Sequence, residues 1–490
     1  MISRFIPRFP RSWISRGLRT LQTLAGFVAR ILSVAAAWDW AMIWFRSSFL
    51  PSQNYLIILS IVIGVLTGFG SVGFIHILHY VADFASNDVA SALGVFGPAS
   101  LVLLPAIGGL FVGPLINRFA PEAKGHGVPE VMTALATRGG HIRPRVVVVK
   151  VLASAMTIGF GGTAGREGPM VQIGSAIGSG IGQWAKLTKG NVRTLVACGA
   201  AAGVAATFNA PIAGAIFSME VLMGRLHADF LLVLLTSLSS CMVARHYLGN
   251  YPAFYAPPYE LKGNAELPLY FFMGVALGLA AVVYVRLLYK SEDLFGDWKF
   301  PEYLKPAVGG LMVGLVLRFY PQVYGAGFPA MESALHTRFT LEMLLSLFVM
   351  GMLSNLATLG SGGSGGVFAP CLFMGAMLGG AFGAIVHSIF PYATGTSGAY
   401  AMVGMAAFFA AAAKSPATSI LILFEMTNDY RIMLPVMAAT VGSVYISHWR
   451  LSHSIYTLKL HNRGIAYPYE QEEDSPRPGA AAPSPQPAGP

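Results

Sequence analysis

Charge is scarce in this chain. Only 11% of its 490 residues are Asp, Glu, Lys or Arg, whereas 54% are hydrophobic and the mean hydropathy is +0.60. So little charge excludes an ordinary soluble domain, and so much apolar surface excludes a disordered chain. Acid is scarcest at the N-terminus, where Asp39 stands alone among Arg4, Arg8, Arg11, Arg16, Arg19 and Arg30. The net charge of +10 is therefore concentrated at one end and does not form a nucleic-acid footprint. Cysteine is nearly absent. Cys198, Cys241 and Cys371 all fall in apolar segments without metal-ligand spacing, and an odd count argues against a disulfide framework. They read as free, buried thiols, and no metal or organic cofactor is implied. No H-E-x-x-H motif and no Ser/His pairing marks an intramembrane enzyme. The glycine-rich run 361–366 is not followed by G-K-[ST], so a nucleotide loop is excluded as well.

What the chain does have is apolar runs, at roughly 54–80, 98–118, 148–162, 171–186, 193–223, 229–247, 268–289, 304–319, 339–359, 367–389, 399–426 and 432–448. A straight crossing needs about 20 apolar residues. Many of these runs are shorter or broken by Gly or Pro, and helix ends inside a bilayer are tolerated where they line a buried site. The reading is an all-α polytopic membrane protein. Residues 1–50, with Phe5, Ile6, Trp13 and Ile14 set among the arginines, read as a basic interfacial helix on the cytoplasmic side rather than a cleaved signal peptide. Residues 466–490 carry Glu470, Glu472, Glu473 and Asp474 before a Pro/Ala-rich end and read as a disordered cytoplasmic tail.

The chain also repeats itself. PAIGGLFVGP at 105–114 answers PAVGGLMVGL at 306–315. Gly125-His126-Gly127-Val128-Pro129 answers Gly325-Ala326-Gly327-Phe328-Pro329, and Gly165-Arg166-Glu167-Gly168-Pro169 answers Gly366-Val367-Phe368-Ala369-Pro370. FNAPIAGAIFSME at 208–220 answers AKSPATSILILFE at 413–425. Two halves, about 54–247 and 268–448, are thus joined by a polar, Pro-rich segment. Transporters built from two related halves place their site between broken helices near the midplane.

Residues 157–175, TIGFGGTAGREGPMVQIGS, hold a carboxylate in an otherwise uncharged run apart from its neighbour Arg166. An ionised group at membrane depth costs about 2.5–3.5 kcal/mol even on lenient scales. The glycines leave N–H groups uncovered, and Pro169 suits the first turn of a helix whose positive end favours an anion. Such a stretch is an anion site with a built-in competing anion.

G-R-E-G-P in this setting resembles the signature of the CLC family of chloride channels and chloride/proton antiporters. The resemblance covers most of a transmembrane domain at 51–465. The stretch beyond it is too short for the paired cytoplasmic nucleotide-binding (CBS) domains of many members, so the prokaryotic type is expected. The resemblance implies two inverted-topology repeats with broken helices, a homodimer with an independent anion pathway in each subunit, and a place in the bacterial inner membrane, in contact with lipid and with both termini cytoplasmic. Glu167 corresponds to the gating glutamate. Gly125, His126 and Gly127 stand in the family's G-S-G-x-P motif, with His126 replacing the serine that faces the central anion. An imidazole can donate a hydrogen bond there, and an imidazolium adds a full charge. Gly366-Val367-Phe368-Ala369-Pro370 resembles the G-x-F-x-P motif, whose N–H groups at Val367 and Phe368 coordinate the anion. Arg166, Gly168 and Ala369 flank the same elements. Tyr456 matches the inner-gate tyrosine, and Lys150 matches a lysine that makes the pathway electropositive.

One departure bears on mechanism. Antiporters of this family commonly end the FNAPIAG helix with two glutamates, the second passing protons to the cytoplasm. Here the pair reads Glu220-Val221. Glu220 corresponds to the first, structural member, and Val221 cannot carry a proton. Glu425, its repeat partner, reads as a helix-end structural carboxylate. The expectation is therefore a glutamate-gated pathway for chloride or a similar monovalent anion, conducting passively, with no enzymatic step. The alternative is a proton-coupled antiporter of chloride or fluoride, since some transporters of the family also lack that carboxylate.

Overall fold

The computed structural model describes residues 54–224, 229–251, 254, 257 and 261–467. The basic segment 1–50 and most of the acidic tail lie outside the described residues. Ala466 and Tyr467, placed in the tail by sequence, belong to the ordered chain: Tyr467 is buried and its hydroxyl donates to the Leu222 carbonyl.

Helices follow one another in an order that occurs twice. The first half runs α1 (Asn54–Asp83), α2 (Ser100–Phe119), α3 (Val128–Thr137), α4 (Arg145–Gly159), α5 (Glu167–Trp184), α6 (Lys189–Phe208), α7 (Pro211–Phe217) and α8 (Phe230–Leu248). The second runs α9 (Leu267–Asp297), α10 (Lys305–Phe319), α11 (Phe328–Leu335), α12 (Leu341–Gly360), α13 (Phe368–Ile389), α14 (Ser397–Ala413), α15 (Pro416–Thr427) and α16 (Met433–Arg450). A short α17 (Thr457–Asn462) closes the described chain. Eight helices among the described residues are long and apolar enough to cross a bilayer.

Two apolar runs that read as continuous, 193–223 and 399–426, are each two helices. Asn209 and Lys414 adopt left-handed conformations, at φ 58° and 55°, and each is followed two residues later by a proline that opens the next helix. A left-handed residue ends one helix, and Pro fits the first turn of another because its missing N–H would be unpaired there. The same grammar produces α3 and α11, which start at Gly127 and Gly327 with positive φ and carry Pro129 and Pro329.

The halves are inverted, and the packing of α2 on α10 shows it. A β-carbon at Gly109 would strike the Pro306 carbonyl, and one at Gly310 the Pro105 carbonyl. One at Gly113 would strike Tyr303, and one at Gly314 would strike Val102. Contacts thus run up one helix and down its counterpart, so two equivalent helices lie antiparallel. A two-fold relation between the halves follows. Small residues also let α5 approach α6 at Gly174 and Gly199, and let α13 approach α14 at Gly375 and Gly404. Lipid supplies no hydrophobic drive between helices, so such close backbone packing carries much of their association.

Candidate functional site

The site forms where broken helices of the two halves meet. Gly165 and Gly366 exchange backbone hydrogen bonds of 2.9 and 2.6 Å, and Gly125 receives 3.3 Å from Gly365 while donating 3.1 Å to Gly363. These contacts tie the G-R-E-G-P loop to the G-V-F-A-P loop and bring the first turns of α5 and α13 together. Sequence placed a helix start beside Glu167. The helix end that holds its carboxylate belongs to the other half: Phe368 and Ala369 of α13 donate their N–H groups to Glu167 Oε1 at 2.8 and 3.3 Å. Those donors have no intrahelical acceptor, and the helix dipole adds its positive end. Gly165 and Gly366 are required by space, because a β-carbon on either would collide with the same carboxylate. Arg166 turns away from it. Its Nη2 donates to the Thr207 carbonyl at 3.3 Å, and its guanidinium stands over the Phe328 ring, 5.1 Å from the centroid.

A narrow cavity next to this carboxylate is lined by His126, Val128, Glu167, Gly168, Val171, Val204, Phe208, Phe217, Val367, Phe368 and Tyr456. Five positions singled out by motif, His126, Glu167, Val367, Phe368 and Tyr456, therefore share one space although they lie up to 330 residues apart (456 − 126). Gly168 lines it too, and a β-carbon there would meet the His126 carbonyl at 2.5 Å. Gly125, Gly127, Arg166 and Ala369 are not among its walls; they shape the loops that are. Gly127, at φ 78°, lets the loop lie against α5, where a β-carbon would come within 2.7 Å of the Gly168 carbonyl.

Lys150 is wholly buried in α4. Its ammonium donates to the Ala123 and Gly125 carbonyls at 2.9 and 2.8 Å, so it pins the loop that carries His126. Ser364 reinforces the same loop, donating to the Ala123 carbonyl at 2.9 Å and meeting Ser154 at 2.9 Å. The Tyr456 ring lies 6.2 Å from His126 and 6.3 Å, edge-on, from Phe217.

Glu220 and Glu425 lie apart from the cavity and cap helices in exchange. Glu220 accepts from the N–H groups of Ala417 and Thr418 at the start of α15, at 3.1 and 2.7 Å. Glu425 accepts from those of Ile212 and Ala213 at the start of α7, at 3.1 and 2.7 Å. Val221 is buried in a π-helical turn, Ser218–Met223, and does not line the cavity.

The sequence profile described as "Voltage gated chloride channel" matches residues 108–448. The chain belongs to the CLC family. It is 34% identical to a ClcB-like chloride channel protein of Ralstonia nicotianae, over 73% of this chain and 85% of that one. It is 32% identical to the H(+)/Cl(-) exchange transporter ClcA of Vibrio campbellii, over 84% of this chain and 90% of that one. Among solved structures, a slow cyanobacterial Cl-/H+ antiporter superposes with a TM-score of 0.78 at 26% identity, covering 84% of this chain and 98% of that one. Membership identifies an integral membrane anion-transport protein with the CLC fold.

Sequence reasoning missed most apolar walls of the CLC cavity. Val204, Phe208 and Phe217 lie in the apolar run 193–223, where nothing distinguishes a cavity wall from helix packing. The Phe208 and Phe368 rings meet at a tilt of 44° with centroids 4.8 Å apart, a contact across the halves. Tyr289 and Glu292 of α9 were also missed, since no motif surrounds them. Tyr289 donates to the Ile455 carbonyl at 2.5 Å and lies 3.4 Å from His126 Nε2.

Proposed function

We propose that this chain exchanges chloride, or a similar monovalent anion, for protons across the membrane, with Glu167 as the gate. One observation carries the reading: the Glu167 carboxylate sits on the α13 N–H groups beside a cavity that also holds His126, Val367 and Tyr456. Fixed amide dipoles replace an anion's hydration shell, so carboxylate and anion compete for the same donors. Protonation weakens the carboxylate as a competitor, which links proton binding to anion passage.

Passive conduction was expected because Val221 cannot carry a proton. That inference used a single position. Coupling is favoured instead by relatives named as H(+)/Cl(-) exchange transporters at 32% identity over most of both chains, and by the antiporter structure at 26% identity. The roles proposed for the site residues are anion contact for His126, Val367 and Phe368, inner gate for Tyr456, and loop positioning for Lys150. Glu220 takes a capping role. Anion and proton suffice for this cycle, and no cofactor enters it. We further propose a homodimer in the inner membrane with cytoplasmic termini. Exposed apolar side chains on α8 and α16, among them Leu231, Met242, Val441 and Tyr445, supply a face for lipid or a second copy, and the N-terminal arginines supply the orientation.

The deciding experiment places purified protein in liposomes under a chloride gradient and records chloride and proton movement together. Uphill proton movement driven by chloride is expected. Chloride flux with no proton movement would overturn coupling and restore passive conduction.

A further inference from the structure

Coupled exchange needs a proton path to Glu167, and Val221 is buried, apolar and away from the cavity. We propose that His126 and Glu292 form that path, with His126 relaying protons between the cavity of Glu167 and the Glu292 carboxylate near water. The proposal rests on the coupled reading above.

The geometry is specific to the imidazole. His126 borders the cavity with a fully buried side chain, and its Nε2 lies 4.0 Å from Glu292 Oε1. Glu292 is 20% exposed, which connects it to solvent. Tyr289 and Glu292 are three residues apart on α9 and so share a helix face against the ring. The Tyr289 hydroxyl gives its hydrogen to the Ile455 carbonyl, so its oxygen can only accept from His126 Nε2. That arrangement puts the proton of the neutral ring on Nε2. Nδ1 is then a bare lone pair, buried without a hydrogen-bond partner.

Transfer is balanced through the ring. A proton released by the Glu167 carboxyl into the cavity binds Nδ1 and forms imidazolium. The imidazolium gives its Nε2 proton to the Glu292 carboxylate, which releases it to the bath. Glu167 is left ionised and the ring neutral with its hydrogen on Nδ1; a swing of the side chain that turns Nδ1–H toward Glu292 lets the next proton bind Nε2 from the cavity and the Nδ1 proton leave to Glu292, which restores the first tautomer. While the ring is charged, Nδ1–H can donate to an anion in the cavity, so proton and anion favour each other's presence.

The surrounding charges belong to the same cluster. Lys459 of α17 pairs with Glu292 at 3.2 Å beside the ring. Arg463 pairs with Glu130 of α3 at 2.7 Å, and Lys150 is bonded to the loop carbonyls. Burial and these cations oppose the imidazolium, while the Glu292 carboxylate 4.0 Å away favours it; the Tyr456 ring faces it from the residue that opens α17. A transient charge is what a relay requires.

The test measures the chloride-to-proton ratio of the full chain in liposomes for wild type, Glu292→Gln, Glu292→Asp and Lys459→Gln. Proton flux relative to chloride flux should fall at least about tenfold in Glu292→Gln and recover in part in Glu292→Asp. Lys459→Gln breaks the same ion pair but keeps the carboxylate, so its ratio should stay near wild type. A coupled wild type with an unchanged ratio in Glu292→Gln would overturn the relay and leave coupling standing. Equal losses in Glu292→Gln and Lys459→Gln would also overturn it, assigning Glu292 to structure. A wild type that moves no protons would overturn both readings.

Discussion

The two halves treat each other alike at one pair of helix ends and unlike at another. Around α7 and α15 the exchange is reciprocal: Glu220 caps α15 and Glu425 caps α7, each with two N–H bonds of matching length. Around α5 and α13 the loops are also paired, Gly165 with Gly366, but the next positions break the symmetry. Glu167 and Phe368 occupy equivalent places, 201 residues apart (368 − 167), and the carboxylate of one sits on the N–H of the other. The symmetric region can only brace the fold, because each half has the same need. The asymmetric region holds one anionic side chain facing one set of amide donors, which is the minimum for a gate.

That contrast can be broken experimentally, beginning with its asymmetric side. Glu167→Ala removes the carboxylate that lines the cavity, so proton transport should fall by at least about 100-fold. Anion flux should persist and lose its response to external pH; a pH response as in wild type would count against the gate. Lys150→Met comes next. It leaves two buried carbonyls without their ammonium donor, for a loss of about 2–5 kcal/mol in stability, read by thermal unfolding in detergent.

The symmetric side should respond symmetrically. Glu220→Ala and Glu425→Ala each remove a capping carboxylate, and each should cost about 1–2 kcal/mol while leaving the chloride-to-proton ratio unchanged. A coupling defect in Glu220→Ala alone would show that the caps are not equivalent. The smallest effect is expected at an asymmetry with no transport role. Lys305 of α10 is buried and pairs with the exposed Glu302, whereas the equivalent position in α2 is Leu104. The hydrogen bond from Lys305 holds the Glu302 carboxyl below the ordinary glutamate range. A lowered value stabilises the fold above the unfolded pKa and stops doing so as pH falls through the folded one. Glu302→Gln should therefore cost under about 1 kcal/mol near neutral pH, a difference that shrinks as pH falls below the ordinary glutamate range. A larger or pH-independent loss would show that Glu302 acts through packing.

The sequence by itself determined the class, the repeat and most polar members of the site. Apolar runs, four ordered matches between halves and the G-R-E-G-P and G-V-F-A-P loops are local patterns, and each has a local physical cause. Helix ends needing Gly, Pro and a left-handed residue leave those letters in the chain. Only the tertiary structure decided what each group faces. It turned Arg166 toward Thr207 and Phe328, committed Lys150 to loop carbonyls, and made Glu220 and Glu425 caps for the opposite half. It also placed Phe208 and Phe217 on the cavity wall and put Glu292 beside His126. Those facts depend on packing between residues 25 to 330 positions apart, and a sequence carries no local signal for a neighbour that arrives through the packing of helices.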